Sequence, residues 1–332
     1  MQITKSIIVS GGVALFSAAA LVAAVEPVAA PAEERPLHLV PWPTQITIAK
    51  TLLKPGANLA FLTDDQPPAR GVDVQLLKDY DPGGGAAPFY NEPQTDWSHL
   101  HIENFELDGV RVRIVAPAKP LPGKPWLLER CAADPLQVAR ALLEKGVYFV
   151  GMDADDFGSP QGVARWSALY AELTTKRGFS KKVVLEGYSR SGLVAYNWAA
   201  ENPEKVACIY GDAPVMNVQS WPGVKEKELL RLYGFKSEAE ALAYNQNPVD
   251  KARIFAQANV PIIHVCGDRD EVVRYEENTG LFKERYEKAG GRNMTIILKG
   301  GVGHHPHGLR DPLPVVEFIL RAIQIPPAKP GA

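Results

Sequence analysis

The stretch Val183-Val184-Leu185-Glu186-Gly187-Tyr188-Ser189-Arg190-Ser191-Gly192 decides how the chain is read. An apolar run suited to a buried strand ends in a tight turn of small residues. Helical spacing then follows from Leu193 to Ala200. A serine between small residues on a strand-to-helix turn is the nucleophile-elbow arrangement. The need for small neighbours is steric, because side chains two places before and after Ser189 would collide if large. Gly187 and Ser191 meet that need, and Gly192 lets the helix pack close to the sheet. The helix start also offers backbone N–H donors beside the serine oxygen, where negative charge would develop. Ser191 is the weaker nucleophile, since its own +2 neighbour is the bulky Leu193.

Outward from this turn the pattern alternates. Strand-like runs at Trp126–Leu128, Val147–Met152, Val206–Tyr210, Pro261–Cys266 and Met294–Leu298 are apolar throughout. Helical spacing separates them at Pro135–Glu144, Pro160–Arg177, Glu276–Lys288 and Leu313–Ile323. Apolar strands separated by helices predict an α/β fold with a mostly parallel central sheet, covered on both faces. Ligands in such sheets bind at the carboxyl ends of the strands. Residues 216–258 interrupt the alternation with more chain than one helix needs. Helical spacing at Glu226–Tyr233 and Ser237–Tyr244, after the turn Trp221-Pro222-Gly223, predicts a helical cap insertion bearing Trp221, Tyr233 and Tyr244. Residues 31–104 read as a Pro-rich, β-rich N-terminal extension, and residues 105–325 as the main domain. The best strand candidates near the start are Thr47–Leu53, Phe105–Leu107 and Val110–Val115, with Pro82-Gly83-Gly84-Gly85 as a loop.

Two further clusters carry chemistry. Ile262–Gly267 runs into Asp268-Arg269-Asp270-Glu271-Val272-Val273. A carboxylate at a strand's end can orient a histidine and stabilise its imidazolium. Asp270 is the preferred acid, Asp268 suits a turn cap, and Asp212 in Gly211-Asp212-Ala213-Pro214 is an alternative. Gly300-Gly301-Val302-Gly303-His304-His305-Pro306-His307 follows the last strand. A metal site is the obvious rival reading of three close histidines. A general base on a glycine-rich loop suits them better, with His304 in that role, His305 its nearest competitor and His307 bonded locally. No metal and no cofactor is expected.

Ser189, Asp270 and His304, each after its own strand, resemble in order and setting the triad of the α/β-hydrolase superfamily. The resemblance covers about residues 105–325 and rests on Gly187–Gly192, Gly267–Val273 and Gly303–His307. It implies Ser189 as nucleophile, His304 as general base and Asp270 as its orienter. The His-Gly-Gly-Gly oxyanion loop is absent. The backbone N–H of Arg190 and one near Glu129–Cys131, centred on Arg130, are expected to supply the donors. The Arg130 side chain either meets an anionic or polyol substrate or pairs with Asp153, Asp155 or Asp156. Arg130 and Trp221 are the expected substrate contacts. The implied activity is a serine hydrolase cleaving a carboxylic ester, such as an acylated carbohydrate, through an acyl-enzyme. The alternatives are a prolyl-oligopeptidase-type peptidase, against which the lack of a propeller-sized N-terminal region counts, and a non-catalytic binding protein on the same scaffold.

Composition bounds the rest. Of 332 residues 46% are apolar, and Lys+Arg 36 nearly balances Asp+Glu 38. That balance excludes a nucleic-acid binder, which would show a basic excess, and the apolar share excludes disorder. Three cysteines form no disulfide scaffold or C-x-x-C pair. Cys208 and Cys266 lie in strand-like runs, as buried thiols or as a pair. Lys5 followed by the uncharged run Ile7–Ala24 predicts a signal peptide, residues 1–24, cut after Val22-Ala23-Ala24. The expected location is secreted or periplasmic, with no stable membrane anchor after cleavage.

Overall fold

Nine strands form one sheet in the computed structural model, which describes residues 71–78, 80–81, 100–132, 137–154 and 156–324. In chain order they are β1 (Asp73–Leu77), β2 (His101–Leu107), β3 (Val110–Ala116), β4 (Trp126–Glu129) and β5 (Tyr148–Met152). They continue as β6 (Val183–Tyr188), β7 (Val206–Asp212), β8 (Ile262–Gly267) and β9 (Met294–Lys299). Across the sheet the order is β1-β9-β8-β7-β6-β4-β5-β3-β2. The β2–β3 hairpin turns at Asp108-Gly109, both at positive φ, as the twist of a two-residue hairpin demands. β3 also runs antiparallel to β5, and the remaining pairings are parallel.

The helices are α1 (Gln137–Glu144), α2 (Pro160–Ala171), α3 (Ser191–Glu201), α4 (Lys227–Tyr233) and α5 (Glu238–Leu242). After them come α6 (Ala252–Ala258), α7 (Thr279–Lys288) and α8 (Leu313–Gln324). The period-2 alternation of each strand feeds two cores. Trp126, Leu128, Val150 and Leu185 face Trp166, Trp198, Phe255 and Phe282 on one side. Leu127, Phe149 and Val184 face Val138, Leu142, Val315 and Ile319 on the other. Trp126, Trp166 and Trp198 have no exposed surface. Truncating any of them to alanine would cost about 3–5 kcal/mol.

Where elements differ from the sequence expectation, side chains explain it. The run expected to be helical over Pro160–Arg177 leaves α-geometry at Ala171 and continues as a π-turn, Glu172–Lys176. There the Thr174 and Thr175 hydroxyls donate to the carbonyls of Tyr170 and Ala171, competing with the backbone ladder. α7 starts at Thr279 rather than Glu276. Asn278 before it takes a non-helical conformation, its amide donating to Arg274 O and its oxygen accepting from Met216 N–H. β1 comes from the segment expected to be an extension and pairs in parallel with β9 at the sheet edge. Thr47–Leu53, Pro82–Gly85 and the leader 1–24 lie outside the described residues.

Within 216–258, α4 shares a small apolar core with the start of α3. Leu193, Val215, Val218, Leu229 and Val273 fill it, with Phe157, Trp221, Tyr233 and Tyr244 packed against them. α6 instead sends Phe255 into the main core. Cys131, Cys208 and Cys266 are all free thiols, and Cys266 Sγ lies 3.4 Å from Thr279 Oγ1. No helix among the described residues is long and apolar enough to cross a membrane.

Candidate active site

Ser189 sits between the end of β6 and the start of α3 with φ at +47°, a conformation L-residues rarely hold. Three backbone bonds enforce it: Ser189 N–H donates to Asp212 O at 2.8 Å, and Ser189 O accepts from Gly192 N–H at 3.0 Å and Val215 N–H at 2.8 Å. The glycines earn their place by contact. A Cβ on Gly187 would lie 3.2 Å from Gly192 Cα, and one on Gly192 would lie 2.6 Å from Val215 O. Ser191 is buried and its hydroxyl donates to Tyr188 O, so it serves the turn.

The structure brings Ser189, His304 and Asp270 together. Ser189 Oγ lies 3.0 Å from His304 Nε2, and His304 Nδ1 lies 2.7 Å from Asp270 Oδ2. The other oxygen of Asp270 accepts the N–H groups of Val272 at 2.9 Å and Val273 at 2.8 Å. Burial pushes the Asp270 carboxyl up, but the bond to His304 and those two N–H groups outweigh it and hold its pKa below the usual range. The Asx-type turn therefore belongs to Asp270, while Asp268 spans to the histidine loop by accepting Gly301 N–H at 2.6 Å. Strand β8 ends in glycine for a reason of space. A Cβ on Gly267 would lie 2.3 Å from the carbonyls of both Val302 and Gly303.

His307 is not held locally as the sequence suggested. Its Nδ1 lies 3.1 Å from Oδ1 of Asp212, at the end of β7, and both side chains are almost fully buried. The other Asp212 oxygen accepts the Tyr210 hydroxyl at 2.8 Å. Burial pushes Asp212 up, but His307, Lys299 and the Tyr210 bond outweigh it and lower its pKa. Asp212 is therefore committed to a different histidine from the one an alternative triad acid would serve. Lys299, buried at the end of β9, donates to Pro306 O and Gly308 O and pins the loop from beneath. His305 is exposed at the loop surface, its rings edge-on to His304 and His307.

Below the site lies an acidic group the sequence reading missed. Glu129 and Glu186 are buried at 6% and 3% exposure, near Asp212. Burial raises the Glu129 pKa to about 7 against the opposing pull of Arg130. Burial, then Glu129 and Asp212, push Glu186 well above its ordinary range. The only signal was an acid inside an otherwise apolar strand, which on its own reads as a strand end.

Arg190 follows Ser189 at the N-cap of α3, its guanidinium 5.9 Å from the Phe157 ring. Burial, then the nearby Arg130, lowers its pKa to about 10. Past β4, the Cys131 N–H bonds the Glu129 carboxyl and the Ala132 N–H bonds Asp153 Oδ1 at 2.7 Å. Asp153 also pairs with Arg111 at 2.7 Å, and Asp156 with Arg165 at 2.5 Å. Trp221 packs on Phe157 with ring centroids 5.8 Å apart. Tyr233 and Tyr244 are spent on each other, on Phe235 and, through the Tyr233 hydroxyl, on Phe157 O.

No family model matches this sequence, and no curated protein is similar to it. Solved structures are. A Bacteroides ovatus protein provisionally assigned as a dipeptidyl aminopeptidase IV superposes with a TM-score of 0.53 at 16% identity, over 67% of this chain and 35% of its own. A puromycin hydrolase S511A mutant gives 0.52 at 16%, over 68% and 39%. Porphyromonas gingivalis dipeptidyl peptidase 4 gives 0.50 at 15%, over 67% and 35%. This chain matches well under half the length of each. Together with the sheet order and the elbow, these likenesses make the fold that of the α/β-hydrolases.

Proposed function

We propose that this protein is a serine hydrolase that transfers an acyl group to Ser189 and then to water. The observation that carries the reading is the continuous array from Ser189 Oγ through His304 to Asp270, at 3.0 and 2.7 Å. In it, His304 Nε2 takes the hydroxyl proton as Ser189 Oγ bonds the substrate carbonyl carbon. The tetrahedral oxyanion is met by the backbone N–H of Arg190 and, in this proposal, that of Arg130. The proton then passes from His304 to the leaving group as its bond to carbon breaks. Water repeats the sequence and frees the acid. Asp270 stays ionised and holds the imidazole in the tautomer that presents Nε2.

For the scissile bond we place a peptide or aminoacyl amide ahead of the carboxylic ester suggested by sequence. The support is the fold likeness to structures named as dipeptidyl peptidases and a puromycin hydrolase; nothing comparable favours an acylated carbohydrate. Arg130 and Trp221 remain the proposed substrate contacts, with Arg130 and Arg190 giving the rim a positive character suited to an anionic substrate end. Export under a leader cleaved after Ala24 is part of the proposal, and N-terminal mass mapping of periplasmic protein checks it. The discriminating experiment is a panel of aminoacyl and dipeptidyl p-nitroanilides, puromycin, aryl esters and acetylated sugars, run with wild type and Ser189→Ala. Turnover of the amides above the esters, lost in the variant, is expected. Ester turnover alone would restore the sequence reading, and none at all would favour a binding protein.

A further inference from the structure

We propose that His304, His305 and His307 form an inhibitory site for a divalent transition-metal ion of the Zn²⁺ type, which shuts off hydrolysis by taking the general base as a ligand. The three imidazoles offer one ligating nitrogen each, all within 4.8 Å of one another. Their ring centroids are 4.5 to 5.0 Å apart and each pair is close to perpendicular, at 74 to 80°. A tetrahedral ion with Zn–N bonds of about 2.0–2.1 Å needs nitrogens roughly 3.4 Å apart. Modest side-chain rotations therefore close the set.

Two features make this more than a crowd of histidines. His304 Nδ1 is held by Asp270 and His307 Nδ1 by Asp212. A carboxylate on Nδ1 is the support that fixes the tautomer and orientation of a metal-bound imidazole and leaves Nε2 as the ligand. Further, His307 Nε2 is buried and has no hydrogen-bond partner among the described residues. A buried polar atom left without a partner is costly, and an incoming ion would complete it. Imidazole donors select Zn²⁺, Cu²⁺ or Ni²⁺ over Mg²⁺ and Ca²⁺. The ion would take the His304 lone pair that otherwise accepts from Ser189, so binding and proton abstraction exclude each other. No oxidation or bond cleavage is involved.

The inhibitory consequence rests on the serine-hydrolase reading; binding itself does not. The test has two arms. In the first, Co²⁺ is titrated into Ser189→Ala protein and visible absorption bands of a nitrogen-bound, four-coordinate ion are recorded. One ion per chain is expected, with the bands lost in Ser189→Ala/His307→Gln. In the second, hydrolysis by wild type is measured against Zn²⁺ and Mg²⁺ buffered to defined free levels. Zn²⁺ alone should inhibit, EDTA should reverse it, and His305→Ala should raise the inhibiting concentration at least tenfold while leaving the metal-free rate within twofold. Absence of Co²⁺ bands, or equal inhibition of wild type and His305→Ala, would overturn the proposal. Bands in the first arm with no hydrolysis in any metal-free sample would keep the metal site and remove the catalytic reading.

Discussion

His307 Nδ1 and Asp212 Oδ1 lie 3.1 Å apart, a second imidazole–carboxylate pair alongside the one joining His304 to Asp270. The two imidazole rings are 4.5 Å apart between centroids. The loop carrying His304 is thus fastened to two different strand ends. Asp212→Asn leaves a single acceptor oxygen for two donors, His307 and the Tyr210 hydroxyl. A loss of about 1–3 kcal/mol is expected, from the donor left unmet. An unchanged denaturant midpoint would show that the second pair carries no load.

Ser189→Ala should abolish turnover while leaving the far-UV spectrum intact. His304→Ala should fall by about 10²–10⁴-fold, the usual worth of a positioned base. His305→Ala, on the exposed side of the loop, should stay within twofold. Comparable losses in both histidine variants would reassign the base.

Gly267→Ala tests the close approach at the end of β8. The added methyl would lie 2.3 Å from two backbone carbonyls of the histidine loop. Backbone cannot rotate away as a side chain can, so the loop must shift. A cost of about 1–3 kcal/mol is expected, as for an overpacked site, with activity falling further than stability. Wild-type activity in a folded variant would mean the loop is looser than its contacts imply.

The buried acids set opposite pH limits. Asp212 and Asp270 have depressed pKa values, so their stabilisation is present above the unfolded value and is lost as pH falls through the folded one. Glu129 is raised from 4.5 to about 7, so the native state holds its proton more tightly than the unfolded chain. Its contribution therefore declines as pH climbs from 4.5 to 7, by on the order of 3 kcal/mol. Glu129→Gln should flatten the alkaline side of a stability-versus-pH curve. Urea titrations at several pH values between 5 and 9 would show it, and parallel curves for both proteins would refute it.

Much of the framework was legible because parallel strands are apolar end to end and announce themselves. β4 to β9 all lie on runs recognised from residue type, and all but β5 continue one to three residues beyond them. The meeting of Ser189, Asp270 and His304 was legible because each follows such a strand beside small residues. β1 was not: Asp73-Val74-Gln75-Leu76-Leu77 is half exposed and, among the described residues, pairs on one side only, so little in its composition marks it. Nor was the Asp212–His307 pair, since its partners are 95 residues apart and each reads locally as a turn residue. The packing of Tyr233 and Tyr244 on each other and on Phe235 was equally hidden, because aromatic character alone does not reveal what a side chain of the cap packs against.

Ser189, Asp270 and His304 hang from the ends of three separate strands, β6, β8 and β9, with β7 wedged between the first two. Turnover is therefore a stringent gauge of completed assembly. A nick or partial melt that frees only the last strand would silence the proposed hydrolysis while most of the helix content survived. Rate, more than spectroscopy, would count the molecules that finished folding.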